Sequence, residues 1–266
     1  MKCGYPVEIG NRKVNCGRCM PCRINKKSMW TGRLILETSA YKNTSTFLTM
    51  TYDNENVPKD GSLVPDDLNK YIDRLRKSSL GHFRYFAVGE YGDKTQRPHY
   101  HMAIFNCPPE QWEDKFQKAW PHGFTKAGEV TPKSAAYIAG YCTKKMTNAE
   151  DERLDGKYPE FTRMSKRPPL GQTGMNRILE TLYSRHGSKM LEKMGDVPHL
   201  YRIDNRIYPI SRYYVNWMRQ QLGIDKPNPE ANWEVSFEEI SREEKEHARK
   251  HSEKLWRQRS RKAGAI

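Results

Sequence analysis

The chain has 266 residues, enough for one catalytic domain with extensions or for two small domains, and enough to bury a real core. Its 46 lysines and arginines outnumber 32 acidic residues, a formal charge of +14 with tyrosine and tryptophan interleaved, so a polyanion is the natural partner and nucleic acid ranks above an acidic protein or a membrane surface. No apolar run reaches the roughly 18 residues of a membrane span, and MKCGYPVEIG lacks the apolar core of a signal peptide, so we expect a soluble, intracellular protein.

Four of the six cysteines, Cys3, Cys16, Cys19 and Cys22, fall at the very start, while Cys107 and Cys142 are scattered. In a reducing compartment such clustering reads as a metal site rather than as disulfides. Four thiolates complete a closed, tetrahedral structural zinc site. The Cys-x-x-Cys-x-x-Cys spacing also fits iron–sulfur ligation, and reduced, unliganded cysteines are a third reading. Arg18, Arg23, Lys26 and Lys27 lie beside the cluster and offer a surface for a DNA backbone.

Further along, MWTGRLILETSAY suits a short helix with Trp30, Leu34 and Ile35 on one face, and Thr46–Tyr52 (TFLTMTY) alternates as a strand does. Pro65 opens an amphipathic helix spaced by Leu68, Ile72 and Leu75. Phe83–Tyr91 reads as a strand, GDKTQRP as a turn and His99–Phe105 as the returning strand. PPEQWEDKFQKAW places Trp112, Phe116 and Trp120 on a packing stripe; a strand over Gly123–Val130 and a helix from Pro132 to Met146 follow. Beyond Gly171 the chain turns mostly helical, with a small hairpin at Asp204-Asn205 and a last, solvated helix signalled by the capping pair Ser236 and Glu239. The pattern predicts an α+β fold: a central antiparallel sheet with flanking helices, an N-terminal Cys-rich metal-binding element over residues 1–30, a central domain over 31–171 and a mostly helical C-terminal extension over 172–266.

The chemistry concentrates in RPHYHMAIF. In a strand, alternate side chains share a face, so His99 and His101 project side by side. Two surface histidines on a half-buried strand are the competing reading. Glu90, on the preceding strand, is brought towards them by the hairpin, and two imidazoles with one carboxylate leave coordination positions open for substrate oxygens, as a catalytic divalent metal requires. In YIAGYCTKK, Tyr137 and Tyr141 sit four residues apart on one helical face, with Lys144 three residues further and Lys145 next. A tyrosine pair at that spacing is ordinarily core, yet a lysine on the same face suits a phosphate better than a buried stripe.

Together CGRCMPCRINKKSMW, FLTMTYD, YFAVGEYGDKTQRPHYHMAIF, AAYIAGYCTKK and EFTRMSKRPPLG resemble, in order and over residues 1–171, the replication initiators of small single-stranded DNA phages, the gokushovirus-like microviruses, within the HUH endonuclease superfamily. The resemblance implies an HUH-like nicking domain over 31–171 in which His99-Tyr100-His101 is the histidine motif, Glu90 the third ligand of a catalytic Mg²⁺ or Mn²⁺, and Tyr137 and Tyr141 the nucleophiles, with Lys144 or Lys145 supplying charge. Gly140 stands where a lysine often precedes the second tyrosine. Thr49 and Thr51, in FLTMTY, are expected at the DNA. Tyr141, through its spacing to Lys144, is expected to make the first attack.

The function so implied is nicking and joining of a single-stranded DNA origin through a 5′-phosphotyrosine link, starting rolling-circle replication in the host cytoplasm with a host helicase and replication machinery and without a membrane. Two other readings compete: a non-catalytic, zinc-containing DNA-binding protein, and a relaxase or transposase of the same superfamily. A denaturant-resistant protein–DNA adduct separates the first of these from an enzyme.

Overall fold

The computed structural model describes residues 2–41, 44–78, 82–141 and 152–225. The chain packs into two compact units, Trp30–Arg177 and the remainder, made of the residues up to Met29 and those from Ile178 onward. The N-terminal segment holds two short paired strands, β1 (Val7–Ile9) and β2 (Arg12–Val14), and the start of helix α1 (Met20–Ser39). Then follow β3 (Ser45–Tyr52), α2 (Pro65–Lys77), β4 (Arg84–Tyr91), β5 (Pro98–Phe105), α3 (Pro109–Ala119), β6 (Gly123–Glu129), α4 (Pro132–Tyr141) and β7 (Phe161–Met164). The last described elements are α5 (Gln172–Leu182), α6 (Arg185–Met194), the hairpin β8 (Leu200–Ile203) and β9 (Arg206–Pro209), and α7 (Arg212–Leu222).

In the Trp30–Arg177 unit five strands form an antiparallel sheet ordered β6-β3-β5-β4-β7. Alternation along the strands divides their side chains between two cores. Leu48, Met50, Tyr100, Met102 and Ile104 meet Leu68, Ile72 and Leu75 of α2 and Phe116 of α3. From the opposite face, Phe86, Val88, Ala103 and Phe105 meet Leu34 of α1 and Ile138, Ala139 and Tyr141 of α4. The α+β expectation therefore holds at the level of a central antiparallel sheet between helices.

Helix α2 forms where Pro65 pre-sets the first turn, Asp66 and Asp67 sit at its positive end and Arg74, Arg76 and Lys77 at its negative end. Beneath α1, the buried Glu37 carboxylate accepts from Arg84 at 2.5 Å and from the Gly171 N–H at 2.5 Å, which ties helix, sheet and the segment after β7 together. Tyr100, the middle residue of the histidine motif, points away from both histidines. Its hydroxyl donates to the Val64 carbonyl (2.9 Å) and lies 2.8 Å from the Tyr52 hydroxyl, which pins the motif strand to the α2 side.

In the other unit, Ser184 and Ser211 cap α6 and α7 by accepting from Gly187 N–H and Tyr214 N–H, and both helices close on left-handed glycines, Gly195 and Gly223. Helix α1 starts at Met20, not at Met29 as its apolar spacing suggested, because the cysteine segment leads straight into it. Strands β1, β2 and β7 were not expected. The final helix, Cys142, Lys144 and Lys145 lie outside the described residues.

Candidate active site and metal centres

The β4–β5 hairpin builds the first site. Its turn is closed by the Gly92 N–H donating to the Arg97 carbonyl (3.0 Å), and the register sets Glu90 opposite His99 and Val88 opposite His101. Paired residues share a face, so carboxylate and imidazoles project together. His99 Nε2 and His101 Nε2 lie 2.8 and 3.0 Å from the same oxygen, Glu90 Oε1, and the three ligand atoms fall within 4.8 Å of one another. Glu90 and His101 are buried and His99 half-buried, against the expectation of exposed ligands; the strands and α4 wall the site in.

Each imidazole is oriented through its other nitrogen. His99 Nδ1 lies 3.1 Å from the Arg97 carbonyl, which only accepts, so Nδ1 carries the hydrogen. In a neutral ring that aims the Nε2 lone pair at a carboxylate oxygen, and a cation, either a proton or a metal ion, has to lie between them. His101 Nδ1 pairs with the Thr49 hydroxyl at 2.9 Å, a cross-strand contact set by the Thr49–His101 register. Nitrogens held this way keep metal-ligating histidines in one orientation. The donor set, two imidazoles and a carboxylate, fits a divalent ion with free positions.

Helix α4 brings both tyrosines to this cluster. The Tyr137 hydroxyl is 3.5 Å from His101 Nε2, and its ring meets those of His101 and Tyr141 edge-on. Tyr141 stacks on the His101 ring, 5.8 Å between centroids and 17° between planes. Tyr137 is 44% exposed and Tyr141 9%, so the shared helical face splits into an outward and an inward phenol. Burial, the Glu90 carboxylate and a hydrogen bond with Tyr137 hold the Tyr141 phenol protonated well beyond its ordinary range. Thr49, expected at DNA, has its hydroxyl on His101; Thr51 contacts the Phe124 carbonyl at 3.4 Å.

The cysteines build a second, separate group in the N-terminal unit. The sulfurs of Cys3, Cys16, Cys19 and Cys22 all lie within 4.8 Å of one another, and Cys3 and Cys19 are 3.7 Å apart. Zinc–sulfur bonds of ~2.3 Å in a tetrahedron imply sulfur–sulfur edges of about 3.8 Å. Backbone N–H groups donate to three of the sulfurs: Cys16 to Cys3, Cys19 to Cys16 and Gly4 to Cys19, at 3.3 to 3.4 Å. Those of Cys19 and Arg18 pull the Cys16 thiol down to about 6, while burial pushes Cys22 up to about 12. Of the adjacent cations, Arg18 and Lys26 are exposed; Arg23 and Lys27 are half-buried, with desolvation lowering their pKa values.

Residues 45–146, which carry the histidine hairpin and the tyrosine helix, match the family model for the phage replication-associated protein ORF2. The chain is 30% identical over 234 residues to replication-associated protein VP4 of Bdellovibrio phage phiMH2K, covering 80% of this chain and 70% of that protein. The chain belongs to this family of phage replication-associated proteins. It is also 35% identical over 180 residues to replication-associated protein ORF2 of Spiroplasma virus 4 and 27% identical over 152 residues to ORF4 of Chlamydia phage 1, spanning 56% and 38% of those proteins. No solved structure matches. The recognition of a microvirus-like replication initiator from the sequence motifs agrees with these relatives. Two features of the site went unread in the sequence. Thr49 positions His101, which strand pairing of TFLTMTY with HYHMAIF would have suggested, and Phe47 stacks on the His101 ring at 5.4 Å.

Proposed function

We propose that this replication-associated protein is an HUH-type, metal-dependent enzyme that nicks and rejoins a single-stranded DNA origin, beginning rolling-circle replication in the host cytoplasm. The observation that carries the reading is the convergence of both histidine Nε2 atoms on Glu90 Oε1 with a tyrosine hydroxyl 3.5 Å from His101 Nε2. A Mg²⁺ or Mn²⁺ ion held by Glu90, His99 and His101 would polarise the scissile phosphate and stabilise its developing charge.

The tyrosine oxygen attacks phosphorus, the bond to the 3′ oxygen breaks, and that oxygen leaves as a 3′ hydroxyl on taking up a proton equivalent to the one lost by the phenol. The DNA 5′ end stays on the protein as a phosphotyrosine, whose retained bond energy permits rejoining without ATP. Tyr137 is the phenol that faces both the cluster and solvent, so we assign it the first attack and Tyr141 the second, the reverse of the order expected from the Tyr-x-x-Lys spacing. Lys144 and Lys145 would supply charge to the phosphate. The free 3′ hydroxyl primes synthesis, with strand separation left to a host helicase.

The cysteine group is assigned a structural Zn²⁺: sulfurs this close suit a single tetrahedral ion, whereas an iron–sulfur core would hold its thiolates further apart. In this reading residues 31–171 form the nicking domain, with Arg18, Arg23, Lys26 and Lys27 on DNA backbone outside it.

The decisive experiment incubates the full chain with circular single-stranded phage DNA and Mg²⁺ or Mn²⁺ and denatures the products. A covalent adduct, lost on chelation, is expected. Mass spectrometry should place it on Tyr137 in the first turnover, with Tyr137→Phe losing most of it and the double phenylalanine variant all of it. An adduct on Tyr141 alone reverses the order; no adduct in the unmodified chain removes the enzyme and leaves a DNA-binding protein.

A further inference from the structure

The sheet register extends the site in a direction the histidine motif does not announce. Glu90 pairs with His99, His99 with Thr51 and Thr51 with Phe124, so these four residues form one row across β4, β5, β3 and β6, all on the same face. One step along, Val88, His101, Thr49 and Lys126 form the next. Both rows end on β6, an edge strand of the sheet, in an exposed aromatic ring and an exposed ammonium: Phe124 is 66% accessible and Lys126 lies beside it on the same face. With neighbouring strands about 4.8 Å apart, Phe124 stands roughly 10 Å from the histidine strand, within a nucleotide or two of a scissile phosphate.

A single exposed phenylalanine ordinarily needs no explanation. This one is held by a rigid frame. Gln117 of α3 donates from Nε2 to the Gly123 carbonyl (2.8 Å) and accepts at Oε1 from the Thr125 N–H (2.9 Å) and hydroxyl (3.1 Å), and the Thr51 hydroxyl donates to the Phe124 carbonyl (3.4 Å). Gly123 has φ near +150°, and a Cβ there would fall 2.3 Å from the Thr51 carbonyl oxygen, so the entry to β6 is fixed by a glycine. The edge of the strand is thereby capped, as exposed edges need to be, while the ring above it stays bare. Capping the backbone and leaving the aromatic face open is what a preformed stacking platform requires.

We propose that Phe124 and Lys126 form a single-stranded-DNA subsite that continues the metal site across the sheet: the Phe124 ring stacks one nucleobase and Lys126 takes a neighbouring phosphate. The occupant follows from charge and continuity. The chain carries +14, the platform has no acidic residue in either row beyond the proposed ligand Glu90, and both rows lead directly to the phosphate-activating groups. Stacking on an aromatic face tolerates any base, so the subsite holds the strand in register and leaves sequence reading to other contacts. The inference rests on the proposal that DNA is the substrate.

The test uses the full chain, a fluorescent oligothymidylate and an abasic oligomer with the same phosphates, both followed by anisotropy. Phe124→Ala should weaken oligothymidylate binding about tenfold and leave the abasic oligomer unaffected, while Phe124→Trp retains both. Lys126→Ala should weaken both and flatten the salt dependence by about one phosphate contact. Oligothymidylate binding by Phe124→Ala equal to that of the unmodified chain would overturn the stacking role, and an unchanged salt slope in Lys126→Ala the phosphate role. Adduct formation is scored separately: if the unmodified chain forms none while the base-dependent loss at Phe124 persists, the nicking reading fails and the subsite stands.

Discussion

The two metal-capable groups are built on opposite principles. The cysteines supply four like donors that close a tetrahedron and leave no position for a substrate. The hairpin supplies three unlike donors from paired strands, each imidazole steered by a second contact, with a phenol at the margin. A closed set of soft ligands stores folding energy; an open set of nitrogen and oxygen ligands lends its free positions to a reaction. The difference between the groups therefore predicts that losing one should unfold and losing the other should silence.

The largest effect tests the silent side. His99→Ala or His101→Ala should cut adduct formation by more than the ~100-fold typical of losing an outer-shell partner, and added Mg²⁺ or Mn²⁺ should restore activity after chelation only in the unmodified chain. The two variants differ in stability: His101 is buried and stacked between Phe47 and Tyr141, so its truncation should lower the melting temperature more than that of His99. Undiminished cleavage by both would end the metal assignment at the hairpin.

The cysteine group should respond the other way. Protein purified without added metal should hold about one zinc per chain by elemental analysis, and Cys19→Ser should lose it together with a cooperative thermal transition, while Mn²⁺ binding at the hairpin persists. Iron with visible absorption would replace zinc; a metal-free chain of unchanged stability would reduce the cluster to packing. Loss of hairpin metal in Cys19→Ser would dissolve the distinction between the groups.

How legible each region was follows the same division. The hairpin could be read because a turn of known length fixes its register, and period-two alternation then places Glu90, His99 and His101 on one face. The i,i+4 spacing brought Tyr137 and Tyr141 to within 5.1 Å of each other but carried no information about which would be covered by the sheet. Strands β1 and β2 are three residues each and exposed, so neither shows a buried alternation. Strand β7 is recognisable only through its pairing with β4. Local composition signals an element when one of its faces is buried; where long-range pairing makes the element, the signal lies in the partner.

A smaller effect sharpens the description of the open site. Thr49→Val keeps the shape and strand preference of the residue and removes only the hydroxyl that meets His101 Nδ1. A positioning role predicts a 10- to 100-fold weaker Mn²⁺ affinity by titration, rescued by Thr49→Ser, with little change in single-stranded DNA binding measured without metal. The opposite pattern, intact metal affinity with weakened DNA binding, would return Thr49 to the DNA-contact role expected from the sequence.

The smallest perturbation is chemical. Backbone N–H donors bring Cys16 down to about 6, whereas burial takes Cys107 up to about 12. A lowered thiol pKa favours the thiolate at every pH above it, so at pH 7 metal-free Cys16 should be about nine-tenths thiolate and Cys107 almost wholly protonated. Brief iodoacetamide treatment of zinc-stripped protein should label Cys16 readily and Cys107 hardly at all, with Cys16 labelling declining as the pH falls through 6. Zinc should protect Cys16, because a coordinated thiolate has surrendered its lone pair, while Mg²⁺ should not, because it prefers the oxygen-bearing site. Protection by Mg²⁺, or none by zinc, would show that the two groups are not divided by ligand chemistry.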